Sequence, residues 1–354
     1  MPDKPTLILV HGMGEHTGDS FKEQVTTSLN YALGLYDKWQ DKKIEELVDL
    51  VPFGYNDIFN QHREMIAKPA IPLVERMDKL KAAGVAGIMS LEISRWDSEL
   101  NQDNFFKTHW LDVIFYRFTG LGELIRIKLA KLITETIGNI GAQNVHVLGH
   151  SLGTSVVHDT LASLYAPPGQ SSLDHNLSPR TSKLASMHLV ANVSRLLQSF
   201  ADVNQSVVNP CKKGCVGTYY QYRHVLDPFM IPSPFDPVIN EIWCEEIEHD
   251  EFMYRELKPK VVTDLNTHGV THYLKNPVCH VPLLQVLNID FAPTKTERNR
   301  AFKAHNQTAL QGKAELLQQK WDAIDLTNKQ SVEAFIRAAQ ALRDMLATFG
   351  KDFE

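Results

Sequence analysis

An α/β fold, with a mostly parallel central sheet and helices on both faces, is what this sequence predicts. Short, continuous apolar segments of the kind that strands buried on both faces require alternate with segments of helical period across residues 1–290. Two of these strands run straight into glycine turns, His11-Gly12-Met13-Gly14 and Gly149-His150-Ser151-Leu152-Gly153. A strand that ends in a tight turn and is followed by a helix is the repeating unit of a parallel sheet.

Thr6 to Val10 reads as the first buried strand, and Phe21 to Leu35 as the helix after it. Glu46 to Phe53 is a second strand, ended by Pro52 and Gly54. Residues 56–118 are irregular, with Pro69, Pro72, a helix from Val74 to Ala83 and several aromatics, and form an insertion. Leu121 to Ile137 repeats apolar residues at helical spacing until Gly138 and Gly141. Asn144 to Leu148 is a strand, and Thr154 to Tyr165 a helix closed by Pro167-Pro168-Gly169.

Strands are expected at Ala185 to Val193 and at Tyr219 to Leu226. The proline-rich segment 228–259 reads as a second insertion around an acidic helix, Ile242 to Leu257, with Lys260 to Leu265 as the last strand. Residues 291–354 shift to charge and glutamine, with apolar stripes at Leu310, Ala314, Leu317, Trp321 and Ile324, then at Phe335, Leu342, Leu346 and Phe349. They form a helical extension that packs on the α/β domain or joins two chains into a homo-oligomer.

Composition narrows the function classes. With 43% hydrophobic and 22% charged residues, a chain of 354 residues has the balance of a folded globular protein. Its net charge of −6 speaks against nucleic acid as a partner, because no surplus of cations is available to neutralise phosphates. No apolar run approaches the roughly 20 residues that a transmembrane helix needs. Met1-Pro2-Asp3-Lys4-Pro5 leads directly into the first strand without a signal-peptide pattern, so a cytoplasmic protein is expected. Four cysteines, at 211, 215, 244 and 279, are too few for a disulfide scaffold; Cys211 and Cys215 read as ordinary thiols or as a small redox loop.

Gly149-x-Ser151-x-Gly153 between a strand and a helix has the form of a nucleophile elbow, which lifts a serine hydroxyl above the edge of a sheet. The helix that follows brings the Leu152 N–H to where negative charge would develop on an attacked carbonyl. His11-Gly12-Met13-Gly14 follows the first strand and offers the Met13 N–H as second donor. Together these motifs resemble the α/β-hydrolase superfamily, in particular its lipases and esterases, over residues 5–290. The resemblance implies a triad in chain order Ser, acid, His.

For the acid, Asp227 follows a strand and precedes a proline; Asp202 is the rival and Asp236 a third candidate. For the base, His268 in Asn266-Thr267-His268-Gly269 is preferred, with His272 as the alternative one helical turn on. His268, His272 and Asp264 also have a spacing that could hold zinc, although no His-Glu-x-x-His signature accompanies it. His150, His146, His158 and His188 are assigned no chemistry.

The expected activity is hydrolysis of a carboxylic ester through an acyl-enzyme on Ser151, without cofactor or metal. A small-molecule or lipid-like acyl ester is the expected substrate. Thioesterase and amidase chemistry share the same constellation, and the alternative of another class is an inactive hydrolase-fold scaffold that works through its C-terminal helices.

Overall fold

The computed structural model describes residues 4–12, 17–59, 116, 121–167, 170, 173, 176–194, 206–225, 227, 252–257, 262–263, 266–287 and 289–308. The expected helix Val74 to Ala83, Met13, Asp202, Asp236, Asp264 and both apolar stripes beyond residue 308 lie outside them.

Among the described residues six strands form one sheet, and every neighbouring pair is parallel. They are β1 (Thr6–Val10), β2 (Asp49–Phe53), β3 (Val145–His150), β4 (Leu184–Val190), β5 (Val216–His224) and β6 (Phe252–Leu257). All residues of β1 and of β3 are buried. Successive side chains of a strand point to opposite faces, so both faces of the sheet centre are covered. This is an α/β architecture, as the apolar, non-alternating strands predict.

The helices among the described residues are α1 (Gly18–Leu33), the single turn α2 (Ile44–Leu47), α3 (Leu121–Ile140), α4 (Leu152–Leu164), α5 (Val270–Leu274), α6 (Pro277–Val286) and α7 (Lys295–Gln307). They fall into two packed groups, α3 with α4, and α1 with α2, α5, α6 and, through α6, α7. Every residue of α4 is buried, including Ser155, His158, Asp159 and Thr160. A helix enclosed on all sides fixes the position of its own first residue, and that residue follows Ser151.

Sheet order is β2-β1-β3-β4-β5-β6. The chain leaves β1 toward one edge to make β2 and returns on the other side of β1 as β3, so the order reverses between β1 and β3. In open parallel sheets the carboxyl ends of the strands diverge at such a point and leave a crevice. Val10 pairs with Gly149 there, which sets His11-Gly12 beside Ser151.

Several boundaries differ from expectation. Glu46 and Leu47 belong to α2, and β2 begins at Asp49. α3 runs through Gly138 to Ile140 and stops at Gly141, whose φ is +80°. β4 ends at Val190, because Ala191 takes φ 50° and donates its N–H to the Tyr222 carbonyl. The largest correction concerns the last strand. Phe252–Leu257, expected as the end of a helix, pairs with β5 from Tyr219↔Phe252 to His224↔Leu257, whereas Val262 and Thr263 of the expected strand are irregular. Six residues are too few for periodicity to separate strand from helix, and the available edge of β5 decides the outcome.

The cysteine reading also changes. Cys215 and Cys279 are buried free thiols, while Cys211 is disulfide-bonded. A loop closed between Cys211 and Cys215 is therefore not what the chain makes.

Candidate active site

All strands point the same way, so the segments after β1, β3, β5 and β6 emerge at one edge. Those segments carry Gly12, Ser151, Asp227 and His268 in that order.

Ser151 sits between β3 and α4 with φ 53° and ψ −125°, a combination that costs an L-residue on the order of 1–3 kcal/mol. Neighbouring groups hold it there. Its N–H donates to the Val190 carbonyl at 3.0 Å, and its own carbonyl accepts from Thr154 Oγ1 at 2.6 Å. Thr154 Oγ1 in turn accepts from the Val193 N–H at 3.0 Å, tying the turn to the loop after β4. Close packing requires glycine at two points. A Cβ at Gly153 would come within 2.3 Å of the Val10 carbonyl oxygen and 2.4 Å of that of His11, and one at Gly12 within 2.7 Å of Ser151 Cβ.

A continuous hydrogen-bonded chain starts at this serine. Ser151 Oγ lies 2.8 Å from His268 Nε2, and His268 Nδ1 lies 2.9 Å from each carboxylate oxygen of Asp227. An ionised carboxylate only accepts, so the imidazole proton resides on Nδ1 and Nε2 is left to accept the Ser151 hydroxyl. Asp227 is fully buried, while His268 keeps 7% of its surface exposed. The Asp227 N–H donates to the His224 carbonyl at 3.0 Å, continuing the turn that ends β5.

The alternative base is placed elsewhere. His272 lies on α5, where Nδ1 meets Thr263 Oγ1 at 3.1 Å and the ring packs on His224 at 4.8 Å. Burial, reinforced by His224 and His305, depresses its pKa to about 3, against the pull of Asp227. His268 and His272 have different partners, and among the described residues no group of three or more His, Cys, Asp or Glu could hold a metal ion.

Leu152 is the first residue of α4, so its N–H is one of those a helix leaves without an internal partner, immediately beside Ser151. The second expected donor, Met13, lies outside the described residues, but the chain leading to it is firmly held. Tyr55 stacks on His11 at 4.1 Å, and its N–H donates to His11 Nε2 at 3.3 Å. His11 Nδ1 then carries the proton and donates to the Gly12 carbonyl at 2.7 Å. The Tyr55 hydroxyl donates to the carbonyls of His11 and Gly12 at 2.8 and 3.1 Å. These bonds occupy the carbonyls after β1.

Three contributors escaped the sequence reading. His150, assigned no chemistry, donates from Nε2 to the His268 carbonyl at 2.7 Å and so holds the loop that carries the imidazole. Tyr55 acts on the loop after β1 as described. Tyr273 donates to Asp227 Oδ2 at 2.7 Å. No local pattern marks any of the three, since each reaches its partner across many residues of chain. No protein-family model matches this sequence, and no curated protein is significantly similar to it, so the fold and the geometry of the site carry the functional argument.

Proposed function

We propose that this chain is a serine hydrolase of the α/β-hydrolase type, which cleaves carboxylic esters through an acyl-enzyme on Ser151. One observation carries the reading: the Ser151–His268–Asp227 hydrogen-bonded chain at the carboxyl edge of a parallel sheet, with a strained serine at the head of a helix. His268 Nε2 takes the hydroxyl proton as Ser151 Oγ adds to the ester carbonyl. The Leu152 N–H, with Met13 as its expected companion, receives the developing oxyanion. His268 then returns its proton to the leaving alcohol as the carbon–oxygen bond breaks, and activates water for deacylation.

Asp227 holds the Nδ1 proton and balances the imidazolium during both steps. The proposed substrate is a small or lipid-like acyl ester, and no cofactor enters the reaction. Among the described residues no helix is long and apolar enough to cross a membrane. A cytoplasmic setting is part of the proposal, with one observation against it: Cys211 is disulfide-bonded, and such bonds are rare where thiols are kept reduced.

Hydrolysis of p-nitrophenyl esters of graded acyl length tests the activity and its chain-length preference. The expected result is turnover that falls to background, by about 10³-fold or more, in Ser151→Ala. No turnover of any ester by the folded chain, or turnover that survives Ser151→Ala, rejects the reading. The first of these outcomes favours the scaffold alternative.

A further inference from the structure

We propose that Tyr273 is a positioning residue for the proposed ester hydrolysis, its hydroxyl clamping Asp227 in the orientation that holds His268. The inference rests on the reading of Ser151, His268 and Asp227 given above and adds a fourth member to that chain.

The geometry is two-sided. Tyr273 Oη lies 2.7 Å from Asp227 Oδ2 and also accepts the His224 N–H, at 2.9 Å. A phenol that accepts one hydrogen bond has its single proton left to donate, and the carboxylate oxygen is the acceptor within reach. Because the His224 N–H belongs to the end of β5, the phenol is located by the sheet itself rather than by a loop. The ring is fully buried on α5, five residues after His268. One segment thus supplies both the imidazole on one side of the carboxylate and the hydroxyl on the other.

Electrostatics give this donor its purpose. Asp227 is fully buried, and a buried carboxylate is costly without donors. Besides His268 and Tyr273, the described titratable groups that interact with it include His224, at the end of β5, and His272, on α5. Burial depresses their pKa values to about 4 and about 3, so both are neutral near pH 7 and bring no positive charge. The phenol of Tyr273 is shifted well above its usual range by burial first and by Asp227 next, which keeps its proton in place. With both carboxylate oxygens at 2.9 Å from His268 Nδ1, nothing in that contact alone selects a rotation of the carboxyl group; the bond to Oδ2 does.

Tyr273→Phe, which keeps the ring, is the test, read as the pH profile of p-nitrophenyl ester hydrolysis. Losing the donor makes the carboxylate more basic and raises the affinity of His268 for its proton. The acid limb of kcat/KM is therefore expected to move up by about half a pH unit or more. Near pH 7 kcat is expected to fall about tenfold with KM little changed, because Tyr273 is fully buried and acts through Asp227. A role confined to packing would lower the folded fraction, counted by fluorophosphonate titration, and leave the profile of the remaining enzyme in place.

An unshifted acid limb in folded Tyr273→Phe overturns the proposal. Should that variant not fold, 3-fluorotyrosine at position 273 replaces it. A more acidic phenol is a stronger donor, so the limb is expected to move down, and an unmoved limb overturns the proposal equally. Absence of wild-type hydrolysis is a separate outcome, which removes the activity and this inference with it.

Discussion

At Ser151 the backbone takes φ 53° where an alanine or a leucine would avoid it, and the elements around it pay for the distortion. The same local logic separates two histidines four residues apart. His268 keeps a thread of exposure and meets both a carboxylate and a hydroxyl, whereas His272 is enclosed with Thr263 and His224. His272→Ala is therefore expected to keep ester hydrolysis within about threefold per folded molecule. Loss beyond about a hundredfold, measured against fluorophosphonate-titrated sites, would transfer the role of base to His272. Ser151 was legible because its signal is local: two glycines, a strand before and a helix after. Asp227 was legible as a candidate from its place after a strand, whereas His268 was proposed from a strand at Lys260 to Leu265 whose described residues, Val262 and Thr263, are irregular, and the choice between His268 and His272 was not legible. Spacing in sequence does not say which ring faces the serine. Tyr273 was invisible because its contact with Asp227 spans 46 positions.

Among the elements, β1 is readable because it is apolar on both faces and β3 because it runs into the Gly149-x-Ser151-x-Gly153 turn, whereas β6 is defined by the strand beside it. Thr294-x-x-Glu297 opens α7 with a capping box, a signal carried by the local sequence itself. Between the sheet and its helices lies a layer that composition does not reveal. His146 meets Ser186, Ser186 meets His188, and His188 meets Tyr222, across β3, β4 and β5. His224 follows on the same face, His272 packs on it from α5, and His280 of α6 is joined to Tyr36. Burial depresses the pKa to about 4 in His146, His224 and His305 and about 3 in His272 and His280, against an ordinary 6.5. These rings are neutral in the fold and charge first in the unfolded chain. Their contribution is complete above pH 6.5 and is lost as pH falls from there toward 4, and toward 3 for His272 and His280, at about 1.4 kcal/mol per pH unit for each ring. Thermal melts at pH 7.5, 6.5, 5.5 and 4.5 are expected to show little change over the first step and a steepening fall in Tm over the next two. A flat Tm down to pH 4.5 would contradict the neutral layer.

For the whole molecule, the parallel sheet explains why the site is where it is. The order of strands reverses between β1 and β3, both faces are covered, and the carboxyl edge is where separate segments meet. A single-chain pattern of alternating strands and helices makes that class legible, while the crossing of long-range partners supplies the chemistry. The most direct measurement is covalent: intact-mass and peptide mapping after exposure of the wild type, Ser151→Ala and His268→Ala to a fluorophosphonate. The account predicts one adduct per chain on Ser151, none in Ser151→Ala, and labelling slowed by about 10³-fold in His268→Ala. An adduct on another residue, or labelling of His268→Ala at the wild-type rate, would contradict it.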